Sequence, residues 1–290
     1  MRATVQTLFG VFKLRIGFAI MLCALAGVAV TPGDAPAAWR VAVLALAVLL
    51  SSASAGAFNQ YVERDLDARM HRTRRRPFVT GEYGSGWTWP LLITALLAAA
   101  VAAAAWVANL QSAAHVFLGA FTYGIVYTVW LKRRTWMNIV WGGLAGSFAV
   151  LAGAAAVNPG LSAESLLLAL VLFLWTPPHF WSLAFVYKQD YARAGVPMLP
   201  AVVSEPAAAK VILAHTIALV GCSVLPFFWG MGWIYLVAAI SGGALFLVRS
   251  IELVRQPDAR RAWSSFHASL LQLSILLLGT ILDAWLLGGG

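Results

Sequence analysis

Asn59, Glu63 and Asp67 stand four residues apart in the run NQYVERDLDARMHRTRRRPFVTGE, residues 59–82. On a helix that spacing sets three oxygen-bearing side chains on one slowly drifting stripe, while Asp65, two residues from each acid, points elsewhere. Amide and carboxylate oxygens suit Mg²⁺, which binds through a few carboxylates plus substrate phosphates and keeps several waters. Immediately downstream come Arg69, Arg72, Arg74, Arg75 and Arg76, whose guanidinium forks match phosphate geometry. A second run, YKQDYARAGVPMLP at 187–200, supplies Asp190 as a further acid for a two-part site. Acids beside bases also describe an ordinary salt-bridged helix end. The position of the stripe, at the mouth of a long apolar segment, favours a metal–diphosphate site.

The elements that must hold these residues are membrane-spanning. Of the 290 residues 61% are hydrophobic and only 11% charged, with a mean hydropathy of +0.81. Soluble domains run at about 45–50% apolar and about 25% charged, which excludes a soluble enzyme here. A span needs about 20 mainly apolar residues. That length divides the chain into nine: 16–31, 39–58, 87–107, 112–131, 137–157, 163–187, 209–229, 232–254 and 264–287. The sequence therefore predicts an all-α polytopic membrane protein, one domain over 1–290, with nine helices bundled around a central cavity. With the N-terminus cytoplasmic, 19 of the 20 Lys and Arg residues fall in inner loops or at inner helix ends, and only Arg40 is outside. The net charge of +9 follows from that bias and implies no nucleic acid partner. Two inner loops, about 59–86 and 188–208, are long, and long loops in compact proteins carry function. Cys23 and Cys222 both lie in apolar runs and read as packing residues.

The order NxxxExDxD followed by RTxxRP, after the second helix, resembles the first signature of the intramembrane (UbiA-type) prenyltransferases, with Glu63 where the usual pattern has Asp. Three further stretches are similar to the protohaem IX farnesyltransferase (haem O synthase) family: WTPPHFW at 175–181, DYARAGVPMLP at 190–200 and YTVWLKRRTWMNIVWGGLAG at 127–146. The similarity runs over essentially the whole chain, including FHASLLQLSILLLGTILD at 266–283. The departures are specific. The family's Lys-Pro-Arg is here Lys13-Leu14-Arg15, and its paired prolines after Gly-Gly-x-x-Gly are replaced by Ser147-Phe148-Ala149-Val150. Asp190 is followed four residues on by Ala194 rather than by a second acid.

The resemblance implies transfer of a farnesyl group from farnesyl diphosphate to a vinyl group of haem B, with water addition, giving haem O in a bacterial cytoplasmic (inner) membrane. Mg²⁺ would be held by Asn59, Glu63, Asp67 and Asp190. Arg72, Arg76, Lys132 and Arg133 would take the remaining diphosphate oxygens, and Lys13, Arg15 and the 132–134 run would meet the haem propionates. The partners it implies are the lipid bilayer and, downstream, a haem A synthase or terminal oxidase. An allylic cation has to form in a dry apolar and aromatic cavity. Trp175, Phe180, Trp181, Tyr127 and Trp130 are candidate walls, most other Trp residues being interfacial anchors.

His179 lies nine residues before Lys188, about 13 Å from the inner loop at helical rise. Pro177 and Pro178 before it should kink the helix and free carbonyls. Its imidazole could line the cavity, ligate haem iron, or simply bond a freed carbonyl or neighbouring hydroxyl. His115, His215 and His267 have weaker context, and Asp283, near the outer end of the last span, reads as structural. Two other readings stay open: a prenyltransferase for quinone or chlorophyll synthesis, and a transporter whose acids bind a coupling cation.

Overall fold

The computed structural model describes residues 2–84 and 86–287, the side chains of 2–4 excepted, so the Arg2 side chain and the terminal Gly288–Gly290 fall outside the account. Every described element is helical. The spans are α1 Leu14–Val30, α2 Ala38–Val62, α3 Thr88–Val107, α4 Leu110–Leu131, α5 Asn138–Val157, α6 Ala163–Val186, α7 Glu205–Trp229, α8 Trp233–Arg255 and α9 Ala259–Leu287. Each lies within a few residues of its expected range. Eight are long and apolar enough to cross a bilayer alone, and α1 makes nine together with the helix before it, Val5–Val11, bent from it by 54°.

Local signals stop and start these helices where the chain turns. Asn109 caps α4 by accepting from the Ser112 amide at 2.8 Å, and Ser162 with Ser165 forms a reciprocal capping box on α6. Pro206 opens α7 in its first turn, where no donor is needed. The helix α6 continues through Pro177 and Pro178 without a break. The exposed Leu and Ile side chains form the outer surface, and exposed Trp residues mark both ends: Trp39, Trp106, Trp233 and Trp285 at one, Trp87, Trp130 and Trp263 at the other.

α1 packs on α2, α5 and α9, while α6 packs against α5, α7 and α9. The α1–α5 contact is backbone on backbone. A Cβ on Gly27 would stand well inside contact of the Val150 carbonyl, and one on Gly153 inside that of Ala24. Small residues allow this approach in membranes, where dispersion and close packing replace the hydrophobic drive.

Asp283 of α9 reaches the start of α8. Its carboxylate accepts from the amides of Gly232 (2.6 Å) and Tyr235 (3.1 Å), so a neighbouring helix caps α8 and meets its positive end. The structural reading of this acid holds. Asp283→Ala is expected to cost about 1–2 kcal/mol of stability, read as a lowered unfolding midpoint in detergent with the activity of the folded fraction unchanged.

Candidate active site

At the basic end of the bundle α2 stops at Val62, Glu63 leaves helical geometry, and a short turn Arg64–Asp67 follows. The hydrogen-bond chain nevertheless continues: the Glu63 amide donates to Asn59 O at 3.0 Å and the Asp67 amide to Glu63 O at 2.8 Å. Asn59, Glu63 and Asp67 therefore stay on one face and are 2%, 1% and 2% exposed, while Asp65 turns outward.

Each buried acid has a partner. Glu63 Oε2 accepts from Asn59 Nδ2 (2.8 Å) and from Lys132 Nζ (2.5 Å). Asp67 Oδ2 accepts from Arg76 Nη1 at 2.7 Å. Asp190, on the short helix Lys188–Arg193 beyond α6, pairs with Arg193 and accepts from the Arg72 amide at 3.4 Å, which joins the two long loops. Burial pushes the Asp190 carboxyl up, but Arg193 and the backbone amides of Arg72 and His71 outweigh it and hold it below the ordinary carboxylate value. Beneath both loops an apolar cluster, including Leu66, Met70, Tyr191 and Met198, fixes their separation.

Lys13 enters from the opposite side. It sits at the bend before α1 in left-handed backbone geometry (φ 48°), a conformation that costs a side-chain-bearing residue roughly 1–3 kcal/mol and tends to persist at functional sites. Gly56 leaves the room, since a Cβ there would press on Phe12 O and Lys13 Cβ. The Lys13 ammonium thereby donates to Asn59 Oδ1 (2.6 Å) and Tyr123 OH (2.9 Å).

The lower half of α4, Thr122–Leu131, is a π-helix. Its wider turn, closed for instance by Lys132 N to Tyr127 O at 2.9 Å, sets residues four or five apart one above another. Tyr123, Thr128 and Lys132 consequently all face α2: the first meets Lys13, the second accepts from Asn59 Nδ2 at 3.0 Å, the third bonds Glu63.

The remaining expected residues are placed differently. Arg133 pairs bidentately with exposed Asp65 at 2.8 and 3.0 Å, facing away from the buried acids. This hydrogen-bonded pairing holds the Asp65 carboxyl low and the guanidinium high. Arg72 lies over the Tyr187 ring, 5.3 Å from its centroid, and Arg15 is exposed on the first turn of α1. Lys13, expected at the haem propionates, is with Asn59 instead. Trp175, Trp181 and Tyr127 are buried in helix packing, Trp130 is 54% exposed, and neither these four nor Phe180 line the apolar cavity that opens at Lys13 and Tyr123.

His179 stands deeper, between the rings of Trp175 (4.1 Å) and Phe266 (4.6 Å). The Ser269 hydroxyl donates to Phe266 O at 2.6 Å. The same hydroxyl lies 2.7 Å from His179 Nδ1 and hydrogen-bonds it, holding the imidazole in place.

The donors present fit a hard divalent ion: Asn and carboxylate oxygens, with Glu63 Oε1 buried and lacking any hydrogen-bond partner. Among the described residues no three Asp, Glu, His or Cys side chains stand close enough to hold an ion as they are.

From Lys13 and Tyr123 a mainly apolar cavity leads away between α1, α2, α4 and α5. Buried acids and cations at the mouth of an apolar cavity inside a helical bundle define an intramembrane enzyme for a substrate with a charged head and a hydrocarbon tail. The match to the UbiA prenyltransferase family model over residues 20–276 agrees, and the chain belongs to that family. It is 60% identical over 288 residues to protoheme IX farnesyltransferase 2 of Paramagnetospirillum magneticum, covering 99% of this chain and all of the relative. It is 46% identical to protoheme IX farnesyltransferase 1 of the same organism, covering 93% and 95%. Among solved structures, a UbiA homologue from Archaeoglobus fulgidus bound to GPP and Mg²⁺ superposes with a TM-score of 0.70 over 94% of this chain and 99% of that one, at 16% identity. A digeranylgeranylglyceryl phosphate synthase gives 0.78 over 97% and 98%, also at 16%.

Proposed function

We propose that this chain is a protohaem IX farnesyltransferase, acting as one domain in a bacterial cytoplasmic (inner) membrane with its N-terminus and acidic site on the cytoplasmic side. It joins C1 of farnesyl diphosphate to the terminal carbon of a haem B vinyl group. Diphosphate departs, and the positive charge left on the inner vinyl carbon takes the oxygen of water, which loses a proton, to give haem O. The observation that carries this reading is Glu63: a buried carboxylate with one oxygen free, joined through Asn59 to Lys13, which lines the end of an apolar cavity. Protohaem farnesyltransferase relatives at high identity supply the acceptor.

Asn59, Glu63, Asp67 and Asp190 would hold Mg²⁺, which when bound neutralises the leaving diphosphate. The side chains around them bind and orient. Lys132, Arg76 and Lys13, now on Glu63, Asp67 and Asn59, turn to the phosphate oxygens as substrate arrives, and Arg72 closes from Tyr187. The apolar cavity keeps water from C1 until the new carbon–carbon bond exists. His179 presents its Nε2 edge to haem, and Arg15 and Arg133 stay at the rim for the propionates. Hand-over of product to a haem A synthase or terminal oxidase follows from its insolubility in water.

The test is purified protein in detergent with haem B, farnesyl diphosphate and Mg²⁺, read by mass spectrometry of extracted haem. Haem O is expected, and EDTA is expected to abolish it, with excess Mg²⁺ restoring it. Prenylation of a hydroxybenzoate or naphthoate in place of haem would overturn the acceptor, and EDTA-resistant turnover would overturn the metal.

A further inference from the structure

The cavity that begins at Lys13 and Tyr123 has a definite depth. Along α2 its lining runs from Gly56 to Val48, and along α4 from Tyr123 to His115. Both are eight residues, about 12 Å at helical rise. Ile16, Ile20 and Ala149 contribute hydrocarbon on the other sides, and Ser51 and Ser52 also line it along α2. An extended chain gains roughly 1.2 Å per main-chain bond, so the eleven carbon–carbon bonds of a farnesyl main chain span about 13 Å. A fourth isoprene adds four bonds, or about 5 Å more.

What lies at that depth is polar. Both ring nitrogens of His115 are buried without a hydrogen-bond partner, and so is the hydroxyl of Ser112, one turn farther from the site. Phe148 stacks on the imidazole at 5.9 Å, holding it in place, and Ser51 ties α2 to α4 through Val116 O at 3.1 Å. The two orphan nitrogens of His115 at the end of this mainly apolar cavity, with the Ser112 hydroxyl just beyond its lining, are a place for ordered water, and a hydrocarbon end that displaced it would leave them unsatisfied.

We propose that His115, with Ser112 behind it, forms a polar floor that sets the prenyl chain length, admitting three isoprene units and rejecting a fourth. Selection of this kind works by chemistry rather than bulk: the floor gives way sterically but cannot be dewetted cheaply. The inference rests on the farnesyl diphosphate reading and names the residue that makes that substrate specific.

The test compares kcat/KM for geranyl, farnesyl and geranylgeranyl diphosphate, with haem B fixed, in the wild type, His115→Leu, His115→Ala and Ser112→Ala. His115→Leu keeps comparable bulk and removes the polarity. It is expected to raise the geranylgeranyl-to-farnesyl ratio by about tenfold or more, the scale on which apolar pockets discriminate, with farnesyl turnover kept within a few-fold. Ser112→Ala is expected to move the ratio the same way by less, and carries the test if the His115 variants do not fold. A ratio unchanged in all three variants overturns the proposal. A ratio that rises in His115→Ala alone overturns the polar floor in favour of a steric one. Wild-type product from farnesyl diphosphate keeps these outcomes separate from failure of the function itself, since no wild-type product would sink the parent reading before any ratio is taken.

Discussion

Asp67→Asn is expected to lower kcat for haem O about a hundredfold at saturating substrate and Mg²⁺, with the protein still folded and extracted normally. The change keeps the shape of the side chain and removes the charge that faces Arg76 at 2.7 Å. Losing one preorganised charged group at a developing leaving-group charge typically raises the barrier by about 3 kcal/mol. Glu63→Gln should cost at least as much, because Lys132 then loses its anionic partner inside the bundle. Glu63→Asp, which restores the usual residue of the family signature on a shorter arm, is expected to keep far more activity than Glu63→Gln. Mass spectrometry of extracted haem under single-turnover conditions separates these cases. Equal activity in Glu63→Asp and Glu63→Gln would mean that geometry, not charge, is what the site needs.

The second large effect concerns the fold. Gly153→Ala sets a methyl against the Ala24 carbonyl, and Gly27→Ala sets one against Val150, with only backbone available to move. Overfilling a packed contact costs about 1–3 kcal/mol and more where nothing flexible can yield. Since α1 and α5 also form two walls of the apolar cavity, parting them is expected to open it to water and abolish turnover along with stability. Gly221→Ala in α7, where a Cβ meets nothing within 4 Å, serves as the control and is expected to be neutral or slightly stabilising. Thermal unfolding in detergent, with haem O formation on the same samples, reads both. A Gly153→Ala protein as stable as the control would refute the contact.

Much of this was legible in the chain because two periodicities are robust. Apolar runs of span length located the nine helices to within a few residues, for backbone groups in a bilayer must satisfy one another and a helix does so locally. The four-residue spacing of Asn59, Glu63 and Asp67 survived the interruption at Glu63 because the amide-to-carbonyl bonds run on through it. The partners of those residues were harder to read. Nothing local marks Lys13 as left-handed, and the space for it is provided by Gly56, 43 residues away in sequence. Tyr123 and Thr128 align with Lys132 only on a π-helix, and TYGIVYTVWL carries no signal distinguishing that from an α-helix. Arg133 went to Asp65 because both project from the outer side of their loops, a tertiary fact. His115 was passed over because a histidine in an apolar run shows neither its missing partners nor the tunnel it ends.

The pairing of each acid of the site with a cation has one more consequence. Glu63, Asp67 and Asp190 are matched by Lys132, Arg76 and Arg193, with Lys13 on Asn59. A cation drawn from its carboxylate by an arriving anion would leave that carboxylate uncompensated in a buried site, where an unpaired charge is costly. Entry of an anion and entry of a positive ion are thereby tied together, and neither fits well alone.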